Sequence, residues 1–569
     1  MNELEALFEN AVSPTLNEEN EEESEEAGAE QPAPALKKKL TYEDFPAEDL
    51  YTYGGIDCLV TSGVLSKLVP LAAEVTVGKG RDSSGRAVQE AFPSVLDGYL
   101  NIEAPALEFI LDLEQNGLKY SSARNRYHHR RMEKQIAELD ELIFSQIGKE
   151  IDLNSGPAIA EFLYKERGFE PPSYTKANEP STDGEALLTL AGLDPLTGKP
   201  KKGKPYVTED PALQYLAHMA KRKDIASVHR TFIKNYIRDF LKRDGRIHPS
   251  YSLHGTSSFR ISGSDPNLTQ LPRAKHGYNV RDCYITEEGT VFIAVDFSSA
   301  EVKILAFLSR EPAMLQAIAD GMDFHTFSAS AMRGIPYDVM AAVLENDEHH
   351  LYKEYKGYRQ LAKILTFSIL YGSSTSGIAA QLYMTVDEAQ RLVNLYFTTF
   401  PKVKDFIEKS HFYARMNQFI CTPLAQRKQQ FGTLPCFKGT AAYNASMRNA
   451  QNVSIQSPTS SIGLATFAEV NRQIKPFGAK SICTVYDSLE IECPIEHAAE
   501  VVNLTIEILD NYPSQAFPFV VLPIGCEAEL GISWGECKVV HKGVTQEQVL
   551  SLLEKIKAES IETFDGWLV

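Results

Sequence analysis

Apolar residues along this chain recur at two spacings, and the switches between them mark its elements. Val291 to Val295 is an unbroken apolar run rich in β-branched residues, the pattern of a buried strand. Two further runs, Ile482 to Val485 and Leu489 to Cys493, are separated by Tyr486, Asp487 and Ser488, which predicts a hairpin with an acid at its turn. Elsewhere the spacing is helical. Between Ala104 and Ile147, the residues Leu107, Ile110, Leu111 and Leu113 read as an apolar stripe. Asp152-Leu153-Asn154-Ser155 supplies capping chemistry for a further helix. Val544 to Ile556 reads as a last helix, with Val549, Leu550, Leu552, Leu553 and Ile556 apolar. Residues 10–40, by contrast, are rich in Glu, Asn, Ser, Ala and Pro and poor in large apolar residues, so disorder is expected there. Ahead of them, Leu4, Leu7, Phe8 and Val12 fit one amphipathic turn, a candidate docking peptide.

One helical segment carries chemistry in its spacing. Arg359, Lys363, Phe367 and Tyr371 stand four residues apart, with Gly372 following. Members of such a ladder lie about 6 Å apart along one stripe of a helix. Two cations followed by two rings suit a nucleoside triphosphate lying lengthwise, with phosphates on the cations and base and sugar on the rings. An amphipathic helix with two solvated charges and two core aromatics has the same spacing, so both readings stand at this point. Asp296 ends the buried strand just before Ser298 and Ser299, which suit a helix start.

The net charge of −19 argues against a uniformly basic surface, but eleven Glu and no Lys or Arg fall in the first thirty residues. Cations cluster instead. Arg124, Arg126, Arg130, Arg131 and Lys134 fall on one predicted helix and Lys221, Arg222, Lys223, Arg230 and Lys234 on another, as phosphate-contacting surfaces require. Residues 192–211 hold Lys199, Lys201, Lys202 and Lys204 among Pro and Gly and read as a loop. The eight cysteines show no C-x-x-C spacing, so free thiols in a reducing cytoplasm are expected. No apolar run reaches spanning length, and no signal peptide is evident.

Taken with the segments around it, the ladder resembles the fingers helix of the family A DNA polymerases, the group of bacterial DNA polymerase I and many bacteriophage replicases. Thr256 to Ser262, continuing through Asp265-Pro266-Asn267-Leu268 to Leu271-Pro272-Arg273, resembles the stretch that holds the primer–template minor groove. Ala294 to Lys303 resembles the first catalytic palm motif, Asp323 to Thr326 the fingers histidine motif, and Arg448-x3-Asn452-x3-Gln456 a palm helix facing the duplex. Val485 to Leu489 stands where the family has its second catalytic aspartate. The likeness runs from about Asn101 to Trp534.

The resemblance implies an α+β right-hand polymerase. Residues 1–40 would be a disordered acidic tail and 41–100 a remnant of a 3′–5′ exonuclease-like domain. The thumb would occupy 101–246, the palm 247–309 and 418–540, the fingers 310–417, and a C-terminal helical tail 541–569. It implies primer extension with dNTPs in the bacterial cytoplasm, in bacteriophage DNA replication. Phosphoryl transfer calls for two Mg²⁺ held by carboxylates from separate elements, a requirement that Asp296 and Asp487 meet. Arg359, Lys363 and His325 would neutralise the triphosphate, Lys363 also giving a proton to the leaving pyrophosphate. Phe367 and Tyr371 would hold sugar and base, Phe367 implying a need for the sugar 3′-hydroxyl, and Glu301 would exclude a ribose 2′-hydroxyl. Arg260, Asn267, Arg273, Arg448, Asn452 and Gln456 would contact the duplex.

The pattern has departures. Tyr486-Asp487-Ser488 stands where the family has His-Asp-Glu, which removes a carboxylate at Ser488 and predicts weaker metal affinity. Lys303 replaces an Arg, turning a bidentate phosphate contact into a point charge. The Asp487-Ser488 pair also resembles single-subunit phage RNA polymerases, which stay open as an alternative beside a catalytically silent DNA-binding or scaffold protein. Tyr53-x3-Asp57 resembles the last motif of the proofreading domain, yet Asp44 and Asp49 are the aspartates before it and no Asp-x-Glu pair precedes it. Intrinsic proofreading is therefore not expected; either the domain has decayed or a separate exonuclease subunit docks on residues 41–100. The N- and C-terminal tails are candidate contacts for a clamp or helicase; Gln548 to Leu553 faintly resembles a clamp-binding peptide, but ordinary helix packing is the favoured account of it.

Overall fold

The computed structural model describes residue 68 and residues 95–175, 177–193, 213–382, 384–422, 424, 428–431 and 439–564. The chain divides into two compact units, Met1–Leu68 and Val69–Val569, and the sheet and helices described belong to the second. The expectations for the acidic tail, Tyr53 and Asp57, most of residues 41–100, the lysine-rich loop beyond Leu193, and the last five residues lie outside the described residues.

A five-stranded antiparallel sheet centres the unit. Its strands are β1 (Thr290–Phe297), β2 (Lys480–Val485), β3 (Ser488–Pro494), β4 (Cys526–Gly531) and β5 (Cys537–Val540), in the order β5-β4-β1-β3-β2. The predicted hairpin is β2–β3, with Tyr486 and Asp487 forming its turn. Side chains alternate across a strand. Val291, Ile293 and Val295 therefore share a face with Leu489, Ile491, Ala528 and Leu530, all between 0 and 2 % exposed. That face joins one core with Phe467 and Val470 of a helix Ala441–Ile474 and Val502 and Leu509 of a helix Ala498–Ala516. Each such aliphatic side chain contributes about 1.5–3 kcal/mol by leaving water.

In chain order the helices that matter are α1 (Ala104–Asn116), α2 (Ser122–Ile147), α3 (Tyr215–Phe232), α4 (Ala300–Ser309), α5 (Phe324–Arg333), α6 (Tyr352–Leu370), α7 (Ala441–Ile474), α8 (Ala498–Ala516) and α9 (Gln546–Phe564). The helical stretch from Ala104 is broken at Gly117, and a short strand, Leu118–Tyr120, intervenes before Ser121 caps α2. The stripe on α1 differs from the expected one. Ala106, Phe109, Ile110 and Leu113 are buried, whereas Leu107 and Leu111 are 45 % and 64 % exposed. Leu111 lies about 200° round the helix from Phe109, on the opposite side. The buried stripe joins the sheet core, and α1 packs on β2 and α7. Residues 104–116 therefore go with the sheet rather than with the helices that follow them.

Those helices form a separate cluster. α2 pairs with α3, and Ile143, Ile147, Leu153, Phe162, Tyr215 and Leu216 make a core of their own. Ser155 caps the helix Gly156–Ala160 as expected, its side chain accepting from the Ala158 N–H. Another lobe contains α5 packed on α6. At the C-terminal end, α9 buries Val549, Leu553 and Ile556, one helical stripe, while Leu550 is exposed. Val549 and Leu553 join the sheet core. No helix among the described residues is long and apolar enough to cross a membrane.

Candidate active site

The second face of the sheet is acidic at one end. Asp296, near the end of β1, lies opposite Ser488 on β3 and Glu527 on β4. Two residues back, Ala294 lies opposite Glu490 and Glu529. Period-two alternation thus places Asp296, Glu490, Glu527 and Glu529 on one face. Asp487 joins them from the turn, where Tyr486 adopts a left-handed φ of 59° that a bulky residue rarely takes. The Phe297 N–H donates to the Asp487 carbonyl at 3.0 Å, tying the turn to β1. Asp296, Asp487, Glu490, Glu527 and Glu529 line a cavity of about 550 Å³ together with Arg273.

Sequence spacing singles out Asp296 and Asp487 and makes Ser488 a lost carboxylate. Three acids that it does not credit, Glu490, Glu527 and Glu529, stand on the same face nearby. Glu490 is 1 % exposed; one of its oxygens accepts from the Ser488 hydroxyl at 2.7 Å and the other is buried without a partner. The alternation of Glu527 and Glu529 about Ala528 is the signal that could have found the other two. Burial, then the Asp487 and Glu527 charges, push the Asp296 carboxyl up to about 7, with Arg273 opposing. Burial likewise raises Asp487. It also lifts Glu490 to about 8 against the Ser488 hydrogen bond and the Arg281 charge. Crowded carboxylates that resist ionisation are a donor set for hard cations, which oxygen ligands prefer. Asp296 and Asp487 fit a divalent ion.

The ladder lies on α6 as its spacing requires. Arg359, Lys363 and Phe367 follow one another along the helix, and Tyr371 sits at its C-cap. The Phe367 and Tyr371 rings are 5.9 Å apart, and His325 lies 5.7 Å from Phe367. Lys363 is exposed. Arg359 is held in a fork: its Nε and Nη2 donate to the two Asp323 oxygens at 2.8 and 3.0 Å. Asp323 also caps α5 through the Thr326 N–H. Burial works against its ionisation, yet the Arg359 and Thr326 hydrogen bonds hold it near 2. His325 is 4 % exposed with Nδ1 unpartnered. Burial, with Lys363 and Arg359 nearby and Asp323 opposing, lowers it to about 4, so it is a neutral imidazole at pH 7.

Glu301 links the two halves of the site. It is 6 % exposed on α4, accepts from the Tyr371 hydroxyl at 2.6 Å, and pairs with Arg260. The Arg260 guanidinium lies 5.1 Å over the Tyr486 ring, beside Asp487. Gly372, at φ 69°, allows close approach to α7, since a Cβ there would meet Arg448 Cγ at 3.0 Å. Arg448, Asn452 and Gln456 form one stripe of α7. Gln451, which no sequence motif marks, is buried beside them; its side-chain amide donates to the Ile369 and Leu370 carbonyls at the end of α6.

Other expectations shift. Asn267 caps a short helix, its side-chain oxygen accepting from the Thr269 N–H and hydroxyl at 3.0 and 2.6 Å. Lys303 donates to the Ile524 carbonyl, so its ammonium is engaged within the fold. Of the basic clusters, Arg124 and Arg222 are buried: Arg124 pairs with Glu536 and Arg222 with Asp140. Lys223 donates to the Thr182 carbonyl. Arg126, Arg130, Arg131, Lys134, Arg230 and Lys234 remain exposed. Hydropathy spacing cannot separate an arginine with a buried acidic partner from one facing water, because the partner is remote in sequence.

Comparison with known proteins places this geometry. The sequence model of DNA polymerase family A matches residues 122–536. DNA polymerase I of Chloroflexus aurantiacus is 24% identical over 515 residues, covering 89% of this chain and 48% of that protein. The thermostable DNA polymerase I of Thermus aquaticus is 26% identical over 444 residues, covering 77% and 48%. The chain thus spans about half the length of these curated relatives. Among solved structures, the POL domain of Pol1 from M. smegmatis in complex with DNA primer-template and dNTP superposes with a TM-score of 0.66 at 24% identity, over 78% of this chain and 72% of that one.

Proposed function

The chain belongs to DNA polymerase family A, and from that premise we propose that it is a DNA-directed DNA polymerase that extends a primer 3′ end with dNTPs copied from a template. The observation that carries this reading is the junction at Glu301, which joins Tyr371 at the end of the ladder helix to Arg260 beside the Tyr486–Asp487 turn. A nucleotide lying along α6 would have its phosphates at Arg359 and Lys363 and its sugar and base near Tyr371, toward the acidic face.

In this reading the sheet and α7 are the palm, the α5–α6 lobe the fingers, and the α2–α3 cluster the thumb, with residues 104–116 assigned to the palm. Asp296 and Asp487 would hold two Mg²⁺, whose chemistry when bound is to polarise the primer 3′-hydroxyl and the α-phosphate. Arg359 exchanges the Asp323 carboxylate for phosphate oxygens, Lys363 adds charge and a proton for the leaving pyrophosphate, and His325 contributes an N–H. Tyr371 and Phe367 position base and sugar, and Glu301 fills the space a 2′-hydroxyl would need. Arg260, Arg273, Arg448, Asn452 and Gln456 contact the duplex; Asn267 acts indirectly, by shaping the loop that presents Arg273. The exposed cations of α2 and α3 hold the backbone without reading sequence. A role in bacteriophage replication rests on the resemblance.

The test is primer–template extension by the purified chain with Mg²⁺, supplied with dNTPs, with rNTPs or with no nucleotide, beside Asp487→Ala. Extension with dNTPs alone, no shortening without nucleotide, and an inactive variant are expected. Extension with rNTPs in the absence of a primer would favour an RNA polymerase, and duplex binding without any product a scaffold.

A further inference from the structure

Away from the cleft, α2 and α3 bring three metal-ligating side chains together. His129 and Glu133 stand one turn apart on α2 and face His229 of α3; one ligand atom from each lies within 4.8 Å of the other two. His129 Nε2 is 3.4 Å from Glu133 Oε2, and His129 Nδ1 is 2.8 Å from His229 Nε2. The two imidazole planes are inclined by 19°, so the rings meet nearly edge to edge through an N–H···N hydrogen bond.

We propose that His129, Glu133 and His229 form a site for a first-row divalent transition ion, Zn²⁺ foremost, which clamps α2 to α3. Zinc bonds of about 2.0–2.1 Å in a tetrahedron put neighbouring ligand atoms about 3.3–3.4 Å apart. The His129–Glu133 pair already has that separation. Bringing in His229 requires turning the His129 ring and the Glu133 side chain, which are 31 % and 52 % exposed. His229 is 6 % exposed and supplies the fixed corner. The exposed side gives an ion a way in and leaves a fourth position for water. Two imidazoles and one carboxylate suit zinc better than Mg²⁺, which prefers all-oxygen shells.

The electrostatics agree in sign. Burial and the neighbouring His129 depress the His229 pKa, Glu133 opposes, and Lys234 adds to the depression. A bound ion would displace the proton that the two rings share. The clamp would fix the spacing of two helices that also expose Arg126, Arg130, Arg230 and Lys234. It stands independently of the polymerase reading.

The test uses the full chain, stripped with EDTA and titrated with buffered Zn²⁺. Metal content, thermal unfolding and, with Co²⁺ as a probe, the visible absorption of a tetrahedral nitrogen–oxygen site are read. One Zn²⁺ per chain is expected with a Kd below about 1 μM, with a higher Tm on loading. His129→Gln should weaken binding about 100-fold and Glu133→Gln about 10-fold. Both side chains are partly exposed, so the variants should fold, and His229→Gln is checked for folding by circular dichroism before use. Failure of the stripped wild-type chain to bind Zn²⁺ below about 10 μM, or equal binding by wild type and both α2 variants, would overturn the proposal.

Discussion

The central sheet turns two opposed chemistries outward from the same strands. On one face Val291, Ile293, Val295, Leu489, Ile491, Ala528 and Leu530 are sealed against α7 and α8. On the other, a residue away each time, stand Asp296, Ser488, Glu490, Glu527 and Glu529. The first face stabilises the fold; the second holds carboxylates whose charge the surroundings resist. The acidic face does not run the whole sheet. At its other end Phe292 stacks on Trp534, and Glu492 is held by Arg246 at 2.9 Å. The destabilising charge is thus confined to the cavity end, and the apolar face offsets it. A site that binds cations is preorganised at the expense of local stability.

The contrast breaks most sharply by exchanging functions between faces. Asp296→Asn or Asp487→Ala should lower primer extension at least ~1,000-fold and leave the metal-free Tm at pH 8 unchanged or higher, since a repelling charge is gone. Loss of folding instead, read by circular dichroism, would show that the acids hold the sheet together. Ile293→Ala should do the reverse. An aliphatic side chain deleted at 0 % exposure leaves a cavity and removes about 2–5 kcal/mol of stability. Extension per folded molecule should change little at a temperature well below the new Tm.

A subtler effect sharpens the comparison at the helix that faces the acids. Gln451 satisfies two carbonyls at the end of α6 from within the core. Gln451→Leu should cost about 1–3 kcal/mol by leaving those acceptors buried. It should also raise the KM for dNTP more than it lowers kcat, because Tyr371 lies next along the chain. Equal KM values would separate the α6 end from nucleotide binding.

Much of the apolar face is legible in the sequence, because a β-branched run and a hairpin interrupted by Asp487 are local signals. Asp296 and Asp487 are legible for the same reason, each standing where a strand ends. The four-residue ladder survives intact because one helix carries it. What escapes depends on register. That Glu490 and Glu529 flank Ala294 follows from how β3 and β4 align on β1, which no spacing within one segment specifies. Arg124 and Arg222 read as surface cations because their acids, Glu536 and Asp140, are 412 and 82 residues away. Spacing misplaces the α1 stripe for a related reason: its leucines and isoleucine fit two faces, and only the sheet beneath chooses between them.

The smallest effect is the most direct measure of charge on the acidic face. Asp296 and Glu490 have folded-state pKa values raised to about 7 and about 8, above their unfolded values of about 4. Between those limits the folded state binds more protons than the unfolded state, so stability is fully present below about pH 4 and declines as pH rises through 7 and 8. With EDTA present, this pair should therefore lower Tm by a few degrees between pH 5 and pH 8.5, and Mg²⁺ should restore most of the loss at pH 8.5 but little at pH 5. Glu490→Gln should flatten the upper part of that slope, since the titrating group nearest pH 8 has gone. A slope that is identical in wild type and Glu490→Gln would mean that the Glu490 carboxyl is ionised throughout this range and that Arg281 neutralises it more completely than its burial opposes.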